Sequence, residues 1–255
     1  MLKCMTYNIL LGGYERRHLI STVLQAVQPD ILLLQELHDP DTLTWFAACL
    51  DHDAHYFYAP SNTGHHLGII SRYPLVACHS LRPFPPIRTA ILAATIALPT
   101  QQLQIFGVHL VPHPALLLEL WRWWEVRVLL RYARPEQPAP CLIAGDFNAI
   151  APEDRLVIHA LPGLLKLMLL SQGGRVFHYA PAALRAAGFT DCYRSLHPNT
   201  PGFTLPVHRP NARLDYIFAN PTLATTLTSC FVVTEPATVR EASDHLPLVA
   251  TFDLE

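Results

Sequence analysis

The sequence predicts an α/β sandwich of mixed sheets with helices on the outside, and three observations carry that expectation. Ten short apolar or β-branched runs recur along the chain, four helical stretches interrupt them without strict β-α-β alternation, and several runs are apolar on both faces. A strand apolar on both faces must be covered on both sides, which two stacked sheets achieve. Neighbouring runs such as 89–98 and 103–108 point to antiparallel pairing, so a doubly wound parallel sheet fits less well.

In chain order, 3–9 reads as the first strand and 16–27 as a helix stopped by Pro29. A leucine-rich strand at 31–34 precedes a helix at 41–50. Strands follow at 67–71, 75–79, 89–98 and 103–108, bounded by turn residues. A long helix at 115–134 ends at Pro135, then come a strand at 141–144 and a helix at 182–187 closed by Gly188. The stretch 151–181, with Leu161-Pro162-Gly163, an apolar run at 164–170 and Gln172-Gly173-Gly174, reads as a helix with a flexible loop. The last strands are 214–218, 227–233 and 246–252. The 23 prolines are spread out and mark no linker, so residues 1–255 are expected to form one domain.

Composition narrows the classes of function. With 51% hydrophobic and 15% charged residues the chain is far from the composition of disordered proteins. A net charge of -2 and a pI near 6.7 exclude the overall positive field that draws a basic protein onto bulk nucleic acid. A local basic groove or a bound cation can still supply positive charge at a phosphate. The six cysteines form no Cys-x-x-Cys pair and mostly fall in apolar runs, so buried free thiols are expected. The chain opens as a strand rather than a secretory leader, and no apolar run nears the ~20 residues that span a bilayer. A cytoplasmic monomer is the resulting expectation.

Chemically capable residues recur at strand ends. Asn8 closes the first strand, Glu36 follows the leucines at 31–34, His109 follows 103–108, and Asp146 and Asn148 follow 141–144. Towards the C-terminus the order inverts: Asp215 opens into Tyr216-Ile217-Phe218, and Ser243-Asp244-His245 opens into the last strand. In sheets with antiparallel members, exit ends and entry ends share an edge, so the whole set can converge on one rim. Singly, each has a blander reading. An Asp or Asn after a strand is commonly a turn former, and a lone histidine is more often satisfied in a core or on a surface than catalytic. The set carries the inference.

Thr6-Tyr7-Asn8, Leu34-Gln35-Glu36, Gly145-Asp146-Phe147-Asn148, Arg213-Leu214-Asp215-Tyr216-Ile217 and Ser243-Asp244-His245-Leu246-Pro247 resemble, in order and spacing, the signature blocks of the endonuclease/exonuclease/phosphatase superfamily. Gly68 to Pro74 is similar to a further, structural segment. The resemblance implies a four-layer α/β/β/α sandwich, DNase-like, with two mixed, mostly antiparallel sheets and the site at one rim. It also implies hydrolysis of phosphodiesters or phosphomonoesters with a divalent cation, usually magnesium, with manganese as an alternative. Histidine rather than tyrosine at 109 resembles the DNase-like, sphingomyelinase, deadenylase and inositol phosphatase branches more than the abasic-site endonucleases.

On that resemblance, Glu36 is the expected metal ligand, with Asn8 and Asp244 as further direct or water-mediated contacts. Asp146 would activate the attacking water, with Asn148 donating to the water or a phosphoryl oxygen. His245, kept cationic by Asp215, would bind a non-bridging oxygen, and His109 would support the transition state or the departing oxygen. Magnesium prefers oxygen ligands and is usually held by one or two carboxylates plus substrate oxygens. Arg88, Arg213 and Asp191 are candidate substrate contacts, the arginines because guanidinium matches phosphate in a bidentate fork. Asp191 has turn capping as its competing reading. His65 and His66 border the groove or are simply solvated. The stripe Leu117, Leu120, Trp121, Trp124 and Val128 has helical spacing and reads as core, with Trp123 outside it. The leading substrate is a nucleic-acid or nucleotide phosphodiester. The alternatives are a phospholipid or sugar-phosphate ester and, in another class, a binding scaffold without catalysis.

Overall fold

The computed structural model describes residues 1–50, 55–82, 90–134 and 139–254. The chain runs β1 (Leu2–Asn8), α1 (Arg17–Val27), β2 (Ile31–Leu37), α2 (Pro40–Cys49), β3 (His55–Ala59), β4 (His66–Ser71), β5 (Leu75–Leu81), β6 (Ile91–Ala97) and β7 (Gln102–His109). It continues with α3 (Leu116–Leu129), β8 (Cys141–Asp146), α4 (Gly163–Ser171), α5 (Tyr179–Ala186), β9 (Thr190–Asp191) and α6 (Cys192–Leu196). The last elements are β10 (Asp215–Ala219), α7 (Pro221–Ala224), β11 (Leu227–Val232), α8 (Val239–Ala242) and β12 (Leu248–Phe252).

Two six-stranded sheets result, in the orders β11-β12-β1-β2-β4-β3 and β5-β6-β7-β8-β10-β9. Each is antiparallel except for one parallel pair, β1 with β2 and β7 with β8. Each of these parallel pairs needs a crossover, supplied by α1 in the first sheet and α3 in the second. The period-two alternation of a strand sorts the apolar runs into separate cores. Leu2, Cys4, Ile31 and Leu33 meet Leu92, Ile105, Leu142 and Ile217 between the sheets. Met5, Tyr7, Leu32 and Leu34 point the other way, under α1 and α2, against Ile20, Leu24 and Phe46. On the far side Phe106, Val108 and Ile143 pack under α3 and α5, against Val126, Leu129 and Leu184. Three cores separate four layers, the α/β/β/α sandwich expected above.

Helix termini follow their local chemistry. The Asp39 carboxylate accepts from Thr42 N at 2.7 Å and Pro40 fills the first turn of α2. Gln28 takes a left-handed conformation just past α1, ahead of Pro29. The free cysteines are mostly buried, as composition suggested. Among the described residues no helix is long and apolar enough to cross a membrane.

α3 departs from the sequence expectation. Leu117, Leu120 and Trp121 face solvent together with Trp123, while Glu119, Arg122 and Glu125 are buried beside Val126, Val128 and Leu129. The cause is the polar backbone that α3 covers. Arg122 Nη1 donates to Val111 O at 2.7 Å and His113 O at 2.9 Å, and its Nε donates to Glu119 Oε2 at 2.7 Å. Glu119 Oε1 accepts from Ala180 N and Glu125 Oε2 from Val111 N. Buried charge is tolerable when it is paired and hydrogen-bonded. Here the charged side chains secure the loop that leaves β7 at His109.

Candidate active site

The C-terminal ends of β1, β2, β7 and β8 and the N-terminal ends of β10 and β12 share one rim, because β10 runs antiparallel to β8 and β12 antiparallel to β1. Asp146 is flanked in register by His109 on one side and Asp215 on the other. Glu36 reaches the rim through an irregularity. Gln35 pairs with Leu67 and Leu37 with His66, so Glu36 is an extra residue in its strand. Its φ of 65° lies in the left-handed region, where a bulge re-aims a side chain. Asn148 also has positive φ, 48°. Its backbone N donates to Asp146 Oδ1 at 2.8 Å, and its Nδ2 donates to Leu110 O at 3.0 Å and Asp146 Oδ2 at 3.2 Å. Gly145 permits the close approach of β7 to β8, since a Cβ there would lie 2.0 Å from Val108 O.

Asn8 ties the two sheets together: its Nδ2 donates to Glu36 Oε1 and to Asp146 Oδ2, both at 3.0 Å. Glu36 Oε2 accepts from Leu11 N at 2.8 Å. His109 Nε2 stands 3.8 Å from Glu36 Oε1 and 3.7 Å from Asp146 Oδ2. His245 Nε2 approaches the same Asp146 oxygen at 3.7 Å, and its Nδ1 donates to Asp215 Oδ2 at 2.8 Å. Ser243 fixes this loop, accepting from His245 N and donating to Asn8 O at 2.7 Å.

Burial and charge push these groups apart in acidity. Burial, joined by the neighbouring Asp215 charge and opposed by His245, raises the Asp146 carboxyl from 3.8 to about 7. Burial alone would push His245 down, but the Asp215 and Asp146 carboxylates outweigh it and raise the imidazole from 6.5 to about 10. Burial also opposes the charge on Glu36, yet the Leu11 amide, His109, Asn8 and His65 together hold its carboxyl below its usual value.

Glu36, His109, Asp146, Asn148, Asp244 and His245 line one cavity of about 460 Å³. Asn8 and Asp215 sit behind it, bonded to Asp146 and His245. The rest of the lining is largely apolar and includes Leu110, Ile150, Leu156, Leu161, Leu165 and Leu214. Among the described residues no lysine or arginine lines the cavity. His65 does, with Nδ1 3.6 Å from Glu36 Oε2, whereas His66 Nδ1 is occupied by Ser61 N. His113 and Asn211 also line it, and no sequence pattern singled them out.

Two proposed substrate contacts lie elsewhere. Arg213 is fully buried and absent from the cavity wall, with Nη2 2.6 Å from Asp191 Oδ2 and Nε 2.9 Å from Asp154 Oδ2. Its guanidinium rests 4.3 Å from the Tyr216 ring centroid. Asp191 also caps α6 by accepting from Arg194 N. This corrects the expectation of direct contact: Asp154, absent from the sequence reading, draws Arg213 inward and away from solvent. Arg88 lies outside the described residues.

The donor set suits a hard divalent cation. Glu36 and Asp146 crowd two carboxylates around one amide, Asp244 faces the same cavity, and the buried Asp215 Oδ1 has no hydrogen-bond partner among the described residues. Asp146, Asp215 and His245 also bring one potential ligand atom each within 4.8 Å of one another. That triad fits poorly as a metal nest, because His245 Nδ1 and Asp215 Oδ2 are already engaged with each other in a 2.8 Å hydrogen bond. The oxygen side, at Glu36, Asn8 and Asp244, fits better.

The sequence matches a model of the Endonuclease/Exonuclease/phosphatase family over residues 5–245. The fold is similar to that of an AP endonuclease from Archaeoglobus fulgidus, with a TM-score of 0.76 and 22% identity over 100% of both chains. It is also similar to the 3'-5' exonuclease NExo from Neisseria meningitidis, with a TM-score of 0.74 and 23% identity over 99% of this chain and 100% of that one. An endonuclease/exonuclease/phosphatase family protein from Leptotrichia buccalis matches over 100% of both chains with a TM-score of 0.71 and 15% identity. No curated protein matches the sequence. At these identities the structural likenesses speak for the fold.

Proposed function

We propose, from the premise that this chain belongs to the endonuclease/exonuclease/phosphatase family of phosphoester-hydrolysing enzymes, that it cleaves its ester by in-line attack of a water activated by Asp146, with a divalent cation at Glu36. The observation that carries the reading is the Asn8 amide shared by Glu36 and Asp146, with His245 facing the same Asp146 oxygen. A magnesium or manganese ion held by Glu36, with Asn8 and Asp244 contributing, would supply positive charge against the phosphoryl oxygens.

The protein's own groups account for the rest. A carboxyl raised to about 7 is basic enough to take a proton from water near neutrality, and the Asn148 amide and backbone N hold it in place. The bond from water oxygen to phosphorus forms as the ester bond on the opposite side breaks. His245 enters as an imidazolium and opposes the charge that builds on the non-bridging oxygens. His109, which lines the cavity with Nε2 3.8 Å from Glu36 Oε1 and 3.7 Å from Asp146 Oδ2, is the group we assign to support the departing oxygen. Residues 1–255 serve this site as one domain.

For the organic part of the substrate, the leucine-rich wall and the absence of lysine and arginine from the described lining favour an apolar group, as in a phospholipid, over a nucleotide chain. The nucleic-acid reading keeps one support, the named activities of the AP endonuclease and the exonuclease with this fold. The test is a hydrolysis panel of a bis-aryl phosphate, phospholipid in detergent micelles and single- and double-stranded DNA, with magnesium or with chelator. Magnesium-dependent turnover of the aryl and lipid esters, lost at least about a hundredfold in Asp146→Ala, is expected. Turnover confined to DNA would return the substrate to the nucleotide reading, and an inert wild type would overturn the hydrolytic one.

A further inference from the structure

We infer that the outer face of α3 and α4 docks on an anionic lipid bilayer and delivers a lipid phosphoester to the cavity at its edge. The inference rests on the apolar-substrate reading above. Leu117 on α3 is 77% exposed, and Leu164, Leu167 and Leu170 on α4 are 68%, 64% and 70% exposed. The three α4 leucines recur every third residue and so share a face of the helix. Leu120, Trp121 and Trp123 add to the face on α3, which carries three of the four tryptophans in the chain. Gln172 joins the two helices, accepting from Leu116 N at 3.0 Å and donating to Pro114 O at 2.7 Å. Clustered exposed apolar side chains rimmed by polar residues mark interaction sites.

Charge and position name the occupant. Every acidic residue of α3 is buried, and α4 has none, so the outward charges of the two helices are Arg127 and Lys166. Arg131, Arg134 and Arg175 extend the basic fringe on the flanking segments. In a chain of net charge -2 this is a local reversal of sign, complementary to anionic headgroups. Tryptophan and leucine projecting from helices rimmed by Arg and Lys is the composition of an interfacial membrane face. The five exposed leucines of this face, which offer no stacking surface to a base, outnumber its two exposed tryptophans, and all the exposed apolar side chains of α4 are leucines, which favours a bilayer over a single-stranded nucleic acid. The two segments also reach the catalytic cavity: Pro114, just ahead of α3, and Pro162 and Leu165, at the start of α4, are among its lining residues. A lipid leaving the bilayer beside α4 would keep its apolar part against leucine while its phosphate reaches Asp146.

The test is co-sedimentation of the full chain with vesicles of phosphatidylcholine containing phosphatidylglycerol, compared with phosphatidylcholine alone. The wild type is expected to sediment with the anionic vesicles, less so at high salt. The double variants Leu164→Ser/Leu167→Ser and Leu117→Ser/Trp121→Ser are expected to partition about tenfold less or weaker still. Their turnover of a soluble bis-aryl phosphate stays at the wild-type level, which shows that they fold. Wild type left in the supernatant, variants that sediment as well as wild type, or substitutions that instead dissociate a dimer would each overturn docking. Asp146→Ala separates the two readings, since it should bind vesicles normally. Vesicle binding without any hydrolysis sinks the chemistry and supports the surface, whereas aryl ester turnover without vesicle binding sinks the surface alone.

Discussion

Replacing Asp215 by Asn removes one charge from beneath His245 while keeping the shape of the side chain. The wild-type carboxylate accepts from Nδ1 at 2.8 Å, both groups are buried, and the imidazole is raised from 6.5 to about 10. That rise corresponds to roughly 5 kcal/mol in favour of the imidazolium. The Asn oxygen can still accept the hydrogen bond but carries no charge, and burial by itself pushes the imidazole down. Asp146, at 3.7 Å, remains as a weaker anchor. A group whose acidity constant is raised by folding stabilises the fold fully below its unfolded value and loses that contribution as pH rises through its folded value. In metal-free protein, the stability advantage of wild type over Asp215→Asn should therefore be a few kcal/mol near pH 6.5 and shrink as pH approaches about 10. Asp146, raised from 3.8 to about 7 with Asp215 among the causes, makes both proteins less stable as pH rises across that lower interval, so the part of the difference that falls between about pH 8 and 10 is the part that reports His245. Denaturant unfolding in chelator at several pH values measures the effect, and the imidazole C–H resonance reports the titration directly. Turnover of the aryl phosphate should fall about a hundred- to a thousandfold near pH 8, where only the wild type keeps its imidazolium. A stability difference constant with pH, or a wild-type His245 titrating near 6.5, would refute the reasoning.

Gly145→Ala forces a Cβ to within 2.0 Å of Val108 O, so β7 and β8 must part at the register that holds His109 beside Asp146. A loss above about 4 kcal/mol is expected in chemical denaturation, and an unchanged unfolding midpoint would show that the strands can yield. Arg213→Met leaves the buried Asp154 and Asp191 carboxylates without their shared cation and should cost about 3 to 5 kcal/mol. In the fraction that folds, KM for the aryl phosphate should stay at the wild-type value; a raised KM with unchanged stability would return Arg213 to the substrate.

The rim was legible because the limits and order of short apolar runs are local properties. Asn8, His109, Asp146 and Asp215 each stand at the end of such a run, and the sheet topology brings those ends together. Glu36 was legible as a residue after leucines, but its bulge was not, since nothing in Leu34-Gln35-Glu36-Leu37 marks the extra residue that aims it. β3 was missed although His55 to Ala59 is rich in aromatics, and α6, α7 and α8 are too short to show a helical period. Arg213 was misplaced because a guanidinium reads the same whether it meets a phosphate or, as here, Asp154 and Asp191 in the interior.

α3 exposes a different limit of pattern reading. Its hydrophobic stripe is real, yet the backbone of residues 111–113 needs hydrogen-bond partners more than it needs apolar cover, and Arg122 and Glu125 provide them. Unpartnered, the buried Val111 N–H and C=O would each cost about 1 to 3 kcal/mol, comparable to what burying a leucine contributes. Turning the charges inward sends Leu117, Leu120 and Trp121 outward. Folding gains little from leaving such side chains in water. The same rotation of α3 therefore does two jobs at once, holding the loop that starts at His109 and laying an apolar surface beside the cavity that this loop helps to form.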